Sequence, residues 1–361
     1  MRLAQWSLHA FRLPYLRPVR WSDTIEEAST HVLLKLKSGT GAVGVAEVTA
    51  KPTWAGVTAR SLAASVEDVL MPLVSAADLA DPERVRSALD AIPENQAAKA
   101  LVDNACWDLR AAEQGQPLWR LWGGRRKADL SWAVTRQAPR AMAEEAAAMV
   151  ARHGFRTLKV KGGQGFDVDL AGMREIRAAV GDAVELYVDA NSAYPLGQAR
   201  DYIRLMADAG AVAVEDPSPL APDACFRALQ RDSPVPLLVD FGCATRRDAS
   251  LFIEQGARAL SLKPGRFGLS DARAMQRLAQ AESCDTVVGL FGESALGALA
   301  ALQFAAALPD PKLPAEVSWF LAMTEQVVRE TPVIEDGAVE LPETPSLASL
   351  IDWEAIRRLA I

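Results

Sequence analysis

From residue 126 onward the chain keeps one rhythm of apolar and polar positions. Short apolar runs recur at 130–135, 157–161, 184–189, 211–215, 236–240, 259–263, 286–290 and 315–319, with helical patterns between them. The repeat of about 25 residues is one strand, one helix and two short loops. Eight such units predict a closed (β/α) barrel; a doubly wound open sheet is the alternative, and the even spacing favours closure. The front of the chain reads differently. Residues 31–37 (HVLLKLK) and 42–48 (AVGVAEV) pattern as paired strands around the turn Ser38-Gly39-Thr40-Gly41. Helical patterns follow at 57–74, 82–89 and 96–113, the last placing Ala100, Asn104, Trp107 and Ala111 at helical spacing. The tail, punctuated by Pro332, Gly337, Pro342 and Pro345, is expected to leave the barrel and pack back on the front unit. The expected division is an α+β unit over 1–125 with 331–361 packed on it, and a barrel over 126–330.

Composition narrows the function classes. The 361 residues are 50% hydrophobic and 24% charged, with a net charge of −7. That diffuse acidic balance, without a dense Lys/Arg tract, argues against nucleic acid as a partner. No apolar run approaches a membrane span, and His9, Arg12, Arg17 and Arg20 interrupt what would be a signal-peptide core. Cys106, Cys225, Cys243 and Cys284 are far apart and read as free thiols, so a cytoplasmic location is expected. The three histidines, His9, His31 and His153, supply neither a zinc site nor a Ser-His-Asp triad well.

What ends the predicted strands changes the picture most. In order they deliver Lys159 and Lys161, Asp189 and Asn191, Glu215, Asp240 and Lys263, with Glu293 just past the seventh. In a barrel the C-terminal rim is where chemistry sits. Residues i and i+2 of a strand share a face, so Lys159 points with Lys161, and Asp189 with Asn191. Asp189, Glu215 and Asp240 would repel one another unless a cation neutralised them. An all-oxygen set selects a hard ion, Mg²⁺, with Mn²⁺ as the alternative. Strands two and six face each other across the ring, so Lys161 and Lys263 can take a proton from one side of a carbon and return it on the other. A metal holding the substrate carboxylate makes the enolate accessible, and Lys159 can lower the pKa of Lys161 and touch that carboxylate.

Each element has a plainer reading. A lone Lys-x-Lys is often a solvated edge, and an Asp at a strand end often caps the next helix. The ordered set is what points to a site. Glu293 reads as a rim hydrogen-bonder or a helix cap, and Thr135 as a site-lining or merely β-branched residue. Trp54 and Trp319 read as substrate contacts or packing.

The chain resembles the enolase superfamily, in its muconate-lactonizing-enzyme subgroup. The resemblance rests on NACWDLRAAEQGQPLWRLWGG (104–124), LKVKGG (158–163), VDAN (188–191), VEDP (214–217), LVD (238–240), LKPGR (262–266), GESALG (292–297) and EDGAVELPETPSL (335–347). It implies an α+β capping domain over a modified (β/α)₇β barrel, a Mg²⁺ on Asp189, Glu215 and Asp240, and Lys161 and Lys263 as the acid/base pair. It also implies a homo-oligomer. Three departures stand out: Phe241 where the subgroup has Glu, no Asp-x-Asp after strand eight, which disfavours dipeptide epimerisation, and Trp54 in the cap's specificity loop. Trp54 and Trp319 are expected to form an aromatic wall over the distal end of the substrate.

The function expected is Mg²⁺-dependent isomerisation of a small carboxylate. It is either racemisation or epimerisation of an amino-acid-like acid, or muconate-type cycloisomerisation. A dehydratase using the same enolate, a non-catalytic metal-binding barrel and a Schiff-base aldolase are the alternatives.

Overall fold

The computed structural model describes residues 1–21 and 24–361. Its front unit is a three-stranded antiparallel sheet of Leu3–Arg20, Ile25–Ser38 and Val43–Ala50, with helices packed on one face. The first strand was not expected. Its alternation is clear only from residue 11 onward, where Phe11, Leu13, Tyr15 and Val19 are buried and Arg12, Pro14, Leu16 and Arg20 are exposed. The helix Gln96–Gln114 lies against the sheet and is buried along most of its length. Gly44 allows that approach, because a Cβ there would lie 2.3 Å from the Leu109 amide nitrogen.

The second unit is the barrel. Seven parallel strands, Trp132–Val134, Thr157–Lys161, Glu185–Asp189, Ala211–Glu215, Leu237–Val239, Ala259–Leu262 and Asp285–Val288, form one sheet in chain order. The eighth position is not a regular strand. The segment at Ala315 and Glu316 bonds both edges: Ala315 N–H donates to Asp129 O, the Ala315 carbonyl accepts from Ser131 N–H, and Glu316 N–H donates to Val288 O. The chain then turns, with Ser318 N–H on Glu316 O and Ser318 Oγ on Ser131 O. Expected strand residues 317–319 therefore leave the ring, and Trp319 opens a 3-10 turn, Trp319–Ala322. The fold is a modified (β/α)₇β barrel with an α+β cap.

The tail touches both units. Its strand Ala338–Glu340 pairs with Lys127–Asp129 beside the first barrel strand, and Ile361 N–H donates to Ala10 O on the first cap strand. No helix among the described residues is long and apolar enough to cross a membrane.

Arg86, 1% exposed on the cap helix Pro82–Leu89, ties cap to barrel. It donates to Gln96 Oε1 at 2.7 Å, to Asp271 Oδ2 at 2.6 Å and to the Phe267 carbonyl. Arg86→Ala takes a donor from the Phe267 carbonyl and leaves Asp271 with Arg246 alone, and because that partner remains the cost falls at the low end of the range for breaking a buried pair from one side, about 3 kcal/mol. A drop of that size in unfolding free energy, at unchanged slope, is the expected result of a urea titration.

Candidate active site

The strand ends meet beneath the cap, around a cavity of about 200 Å³. From the barrel it is lined by Lys159, Lys161, Asn191, Asp216, Asp240, Lys263 and Phe291, among others, and from the cap by Trp21, Glu26, Lys51 and Trp54. Asp189 and Glu215 are fully buried at its base.

Lys159 is the hub. Its ammonium lies 3.1 Å from Asp189 Oδ2, 2.7 Å from Glu215 Oε2 and 3.0 Å from Glu316 Oε2. Burial pulls its pKa down, but Asp189, Glu215 and Glu316 outweigh that and hold it well above the ordinary range. It is a fixed cation here, not a proton carrier.

Lys161 donates to Asp189 Oδ2 at 2.6 Å and to Asn191 Oδ1 at 3.2 Å. Burial and then the Lys159 charge lower its pKa, against the pull of Asp189. Lys263 pairs with Asp240 Oδ2 on the other side. Its side chain crosses space that residue 289 leaves free: a Cβ on Gly289 would lie 2.7 Å from Lys263 Cε. The cap places one indole by each lysine. Lys161 Nζ is 5.8 Å from the Trp21 ring centre, and Lys263 Nζ is 4.7 Å from that of Trp54.

The donor set fits a hard cation. Asp240 Oδ1 is buried without a hydrogen-bond partner, and Glu215 Oε2 has the Lys159 charge beside it but no aligned donor. Among the described residues, no three acidic, histidine or cysteine groups stand ready-made as a cage. Asp189 and Asp240 each turn an oxygen toward a lysine instead, so ligation needs those two contacts to loosen. Burial, and then Asp189, push the Glu215 carboxyl well above its usual range, whereas the lysines hold Asp189 below it in spite of burial. Such a cluster is poised for a positive charge.

Other residues singled out in the sequence sit elsewhere. Thr135 is buried outside the cavity lining and accepts from Arg17 at 3.0 Å. Glu293 lies behind the wall: Oε2 accepts from Phe291 N–H at 2.8 Å, Oε1 is unpartnered, and burial pushes its pKa up to about 7. The expected Trp54–Trp319 wall is not formed. Trp319 is 1% exposed and stacks on Trp132 at 5.2 Å, behind Trp21 at 4.3 Å, because the turn after Glu316 carries it out of the ring. Trp54 meets Phe241 and Phe291 edge-on at 5.5 and 5.2 Å.

Sequence reasoning missed three groups. Glu316 is 1% exposed and accepts from Lys159 and from Tyr187 Oη at 2.6 Å. Trp21 lines the cavity and donates to Glu26 at 3.1 Å. Lys51, also on Glu26 at 2.8 Å, adds a cation on the cap side. The signal available for Glu316 was its place on the eighth apolar run, a carboxylate where the pattern asks for core.

Comparison with known proteins decides the family. Residues 9–123 match the model "Mandelate racemase / muconate lactonizing enzyme, N-terminal domain", and residues 141–355 match "Enolase C-terminal domain-like". The chain belongs to the mandelate racemase/muconate lactonizing enzyme family. Within this enolase-superfamily group it is 27% identical to muconate cycloisomerase 1-2 of Acinetobacter lwoffii, over 96% of this chain and 92% of that one. It is 29% identical to the N-succinylamino acid racemase of Thermus thermophilus, over 100% and 98%. The solved muconate lactonizing enzyme of Mycobacterium smegmatis, complexed with muconolactone, superposes with a TM-score of 0.95 at 26% identity, covering all of both chains. These relatives are isomerases by name.

Proposed function

We propose that this chain is a Mg²⁺-dependent isomerase that moves a proton at the carbon beside a substrate carboxylate by a two-base route, racemising or epimerising an amino-acid-like acid. The observation that carries this reading is that Lys161 and Lys263 reach one cavity from strands two and six, each with its own carboxylate partner. Asp189, Glu215 and Asp240 would hold the ion, which supplies positive charge against the enolate when bound. Lys161 takes the α-proton on one face and Lys263 delivers one on the other. Lys159 stays protonated and keeps the carboxylates in place. Trp21 and Trp54 exclude water and flank the distal arm of the substrate, with Lys51 and Glu26 at its end. The working division is a cap of residues 1–125 carrying 331–361, over a catalytic barrel of 126–330.

A second reading is cycloisomerisation of a muconate-type dicarboxylate. Lys51 favours it as a cation suited to a second carboxylate, as do the names of several relatives. A dehydratase would share the first step. A non-catalytic binder has no need of two opposed lysines.

The test is incubation with Mg²⁺ in D₂O of both enantiomers of N-succinyl amino acids, and separately of cis,cis-muconate. Deuterium wash-in at the α-carbon of both enantiomers is the expected result. Turnover of muconate with no α-exchange in any amino acid would replace the two-base reading with the second one.

A further inference from the structure

We infer that Asp169 is a positioning residue for Lys161, and for Lys161 alone of the two opposed lysines; this rests on the two-base reading above. Asp169 lies in the helix Phe166–Val180, 4% exposed and outside the cavity. Its carboxylate collects four donors. Gly163 N–H reaches Oδ2 at 2.6 Å and Gln164 N–H reaches Oδ1 at 3.0 Å, while the Tyr194 and Tyr202 hydroxyls donate to Oδ2. Charge-assisted bonds of this kind are about twice as strong as neutral ones.

What those donors belong to gives the residue its meaning. Gly163 and Gln164 are in the loop that begins immediately after Lys161. Tyr194 is in the loop that follows Asp189 and Asn191, the two groups Lys161 touches. One carboxylate therefore fixes the lysine's loop against its partners' loop. Arg136 closes the same joint from the loop after the first barrel strand, donating to Gly162 O at 2.6 Å and to Ala190 O at 3.1 Å. Gly162 N–H donates to Asp189 O at 2.8 Å.

The glycines show how tight the joint is. A Cβ on Gly162 would lie 2.4 Å from Tyr202 Oη and 2.8 Å from Asp169 Oδ2. On Gly163, whose φ is +85°, it would lie 2.7 Å from Ala190 O. The Gly-Gly pair after Lys-x-Lys is thus the space Asp169 and Arg136 need to grip the loop. Lys263 is supported differently. The helix Pro264–Phe267 that follows it is held from the cap, where Asn104 Nδ2 donates to Pro264 O at 3.0 Å. The two lysines have separate supports, so one can be loosened without the other.

Asp169→Asn keeps the shape and removes the charge and one acceptor. The first readout needs no substrate: labelling of the folded protein by acetic anhydride, with the extent at Lys161 and Lys263 read by peptide mass spectrometry. Losing charge-assisted bonds to the loop is expected to raise Lys161 labelling about tenfold and leave Lys263 labelling unchanged. Tyr194→Phe, which removes one donor, is expected to move Lys161 in the same direction by less, and serves if Asp169→Asn does not fold. The second readout is deuterium wash-in with N-succinyl-phenylalanine. The enantiomer whose exchange is lost in Lys161→Ala is expected to slow in Asp169→Asn while its mirror image does not, with KM unchanged. Equal changes at both lysines, or no change at Lys161, would overturn the assignment. If the labelling splits as expected but the wild-type protein exchanges no substrate, the positioning role stands and the two-base reading falls.

Discussion

Lys161→Ala and Lys263→Ala are each expected to abolish α-proton exchange from one enantiomer of the substrate and to spare the other. General acid–base catalysis by one positioned group is worth about 10²–10⁴-fold, and that is the expected loss on the affected enantiomer. Geometry sets this outcome. The lysines come from strands two and six, they pair with different carboxylates, and they line one cavity. A substrate carbon held between them offers its proton to one lysine in one configuration and to the other in the mirror configuration. Removing Lys161 leaves Lys263 able to exchange the enantiomer it faces, but nothing can complete the inversion, so net racemisation stops in both variants. The lowered pKa of Lys161 adds a sign. The base form is needed, so exchange through Lys161 rises with pH and levels off below the ordinary lysine range, and it fails on acidification. A cycloisomerase gives another pattern, with one variant inactive and the other only weakened. Wash-in followed by proton NMR on separate enantiomers, with Mg²⁺ present, distinguishes the two.

The barrel was legible because its period is long, even and independent of side-chain detail. Strand ends were legible for a related reason: parallel strands of a closed sheet all deliver their last residues to one rim, so Lys161, Asp189, Glu215, Asp240 and Lys263 were placed by counting alone. Counting fails where the chain stops being regular. The eighth segment makes ring bonds only around Ala315 and Glu316 before the Ser318 turn takes over. That turn swings Trp319 away and leaves Glu316 inside on Lys159, opposite to what a straight strand through 319 implied. Between the two readings of Thr135 the sequence offers no choice, since its hydroxyl is claimed by Arg17 from a cap strand more than a hundred residues earlier. Trp21 was missed because its position at the cavity depends on the long first strand, whose early residues lack a clean alternation. The clamp at Asp169 is not legible in the sequence, because its four donors converge from three elements.

Mg²⁺ titrated into the apo protein is expected to release protons, raise the melting temperature and bind more tightly as pH rises. The protons come from the cluster itself. Glu215 has a raised pKa from burial and from Asp189, so it holds a proton above the usual carboxylate range and must shed it to ligate. Asp189, once committed to an ion, no longer stabilises the Lys161 charge, and that lysine, its pKa already lowered by burial and by Lys159, then gives up its proton more readily. Ligation and the arming of Lys161 are thus one event. Stability follows by mass action, with about 2.7 kcal/mol gained at a hundredfold excess over the dissociation constant. The sign with pH follows from the same groups: acid returns protons to Glu215 and then to the aspartates, so affinity falls on acidification. Calorimetry in two buffers of different ionisation enthalpy measures the released protons directly. Glu215→Gln, which cannot carry the charge, is expected to weaken binding more than about 100-fold and to remove its share of the proton release, while Lys159 on Asp189 and Lys263 on Asp240 keep the other two carboxylates neutralised and the fold intact. A titration with no proton release and no shift in melting temperature would remove the metal from this site, and with it the stabilisation that makes the enolate accessible to either lysine.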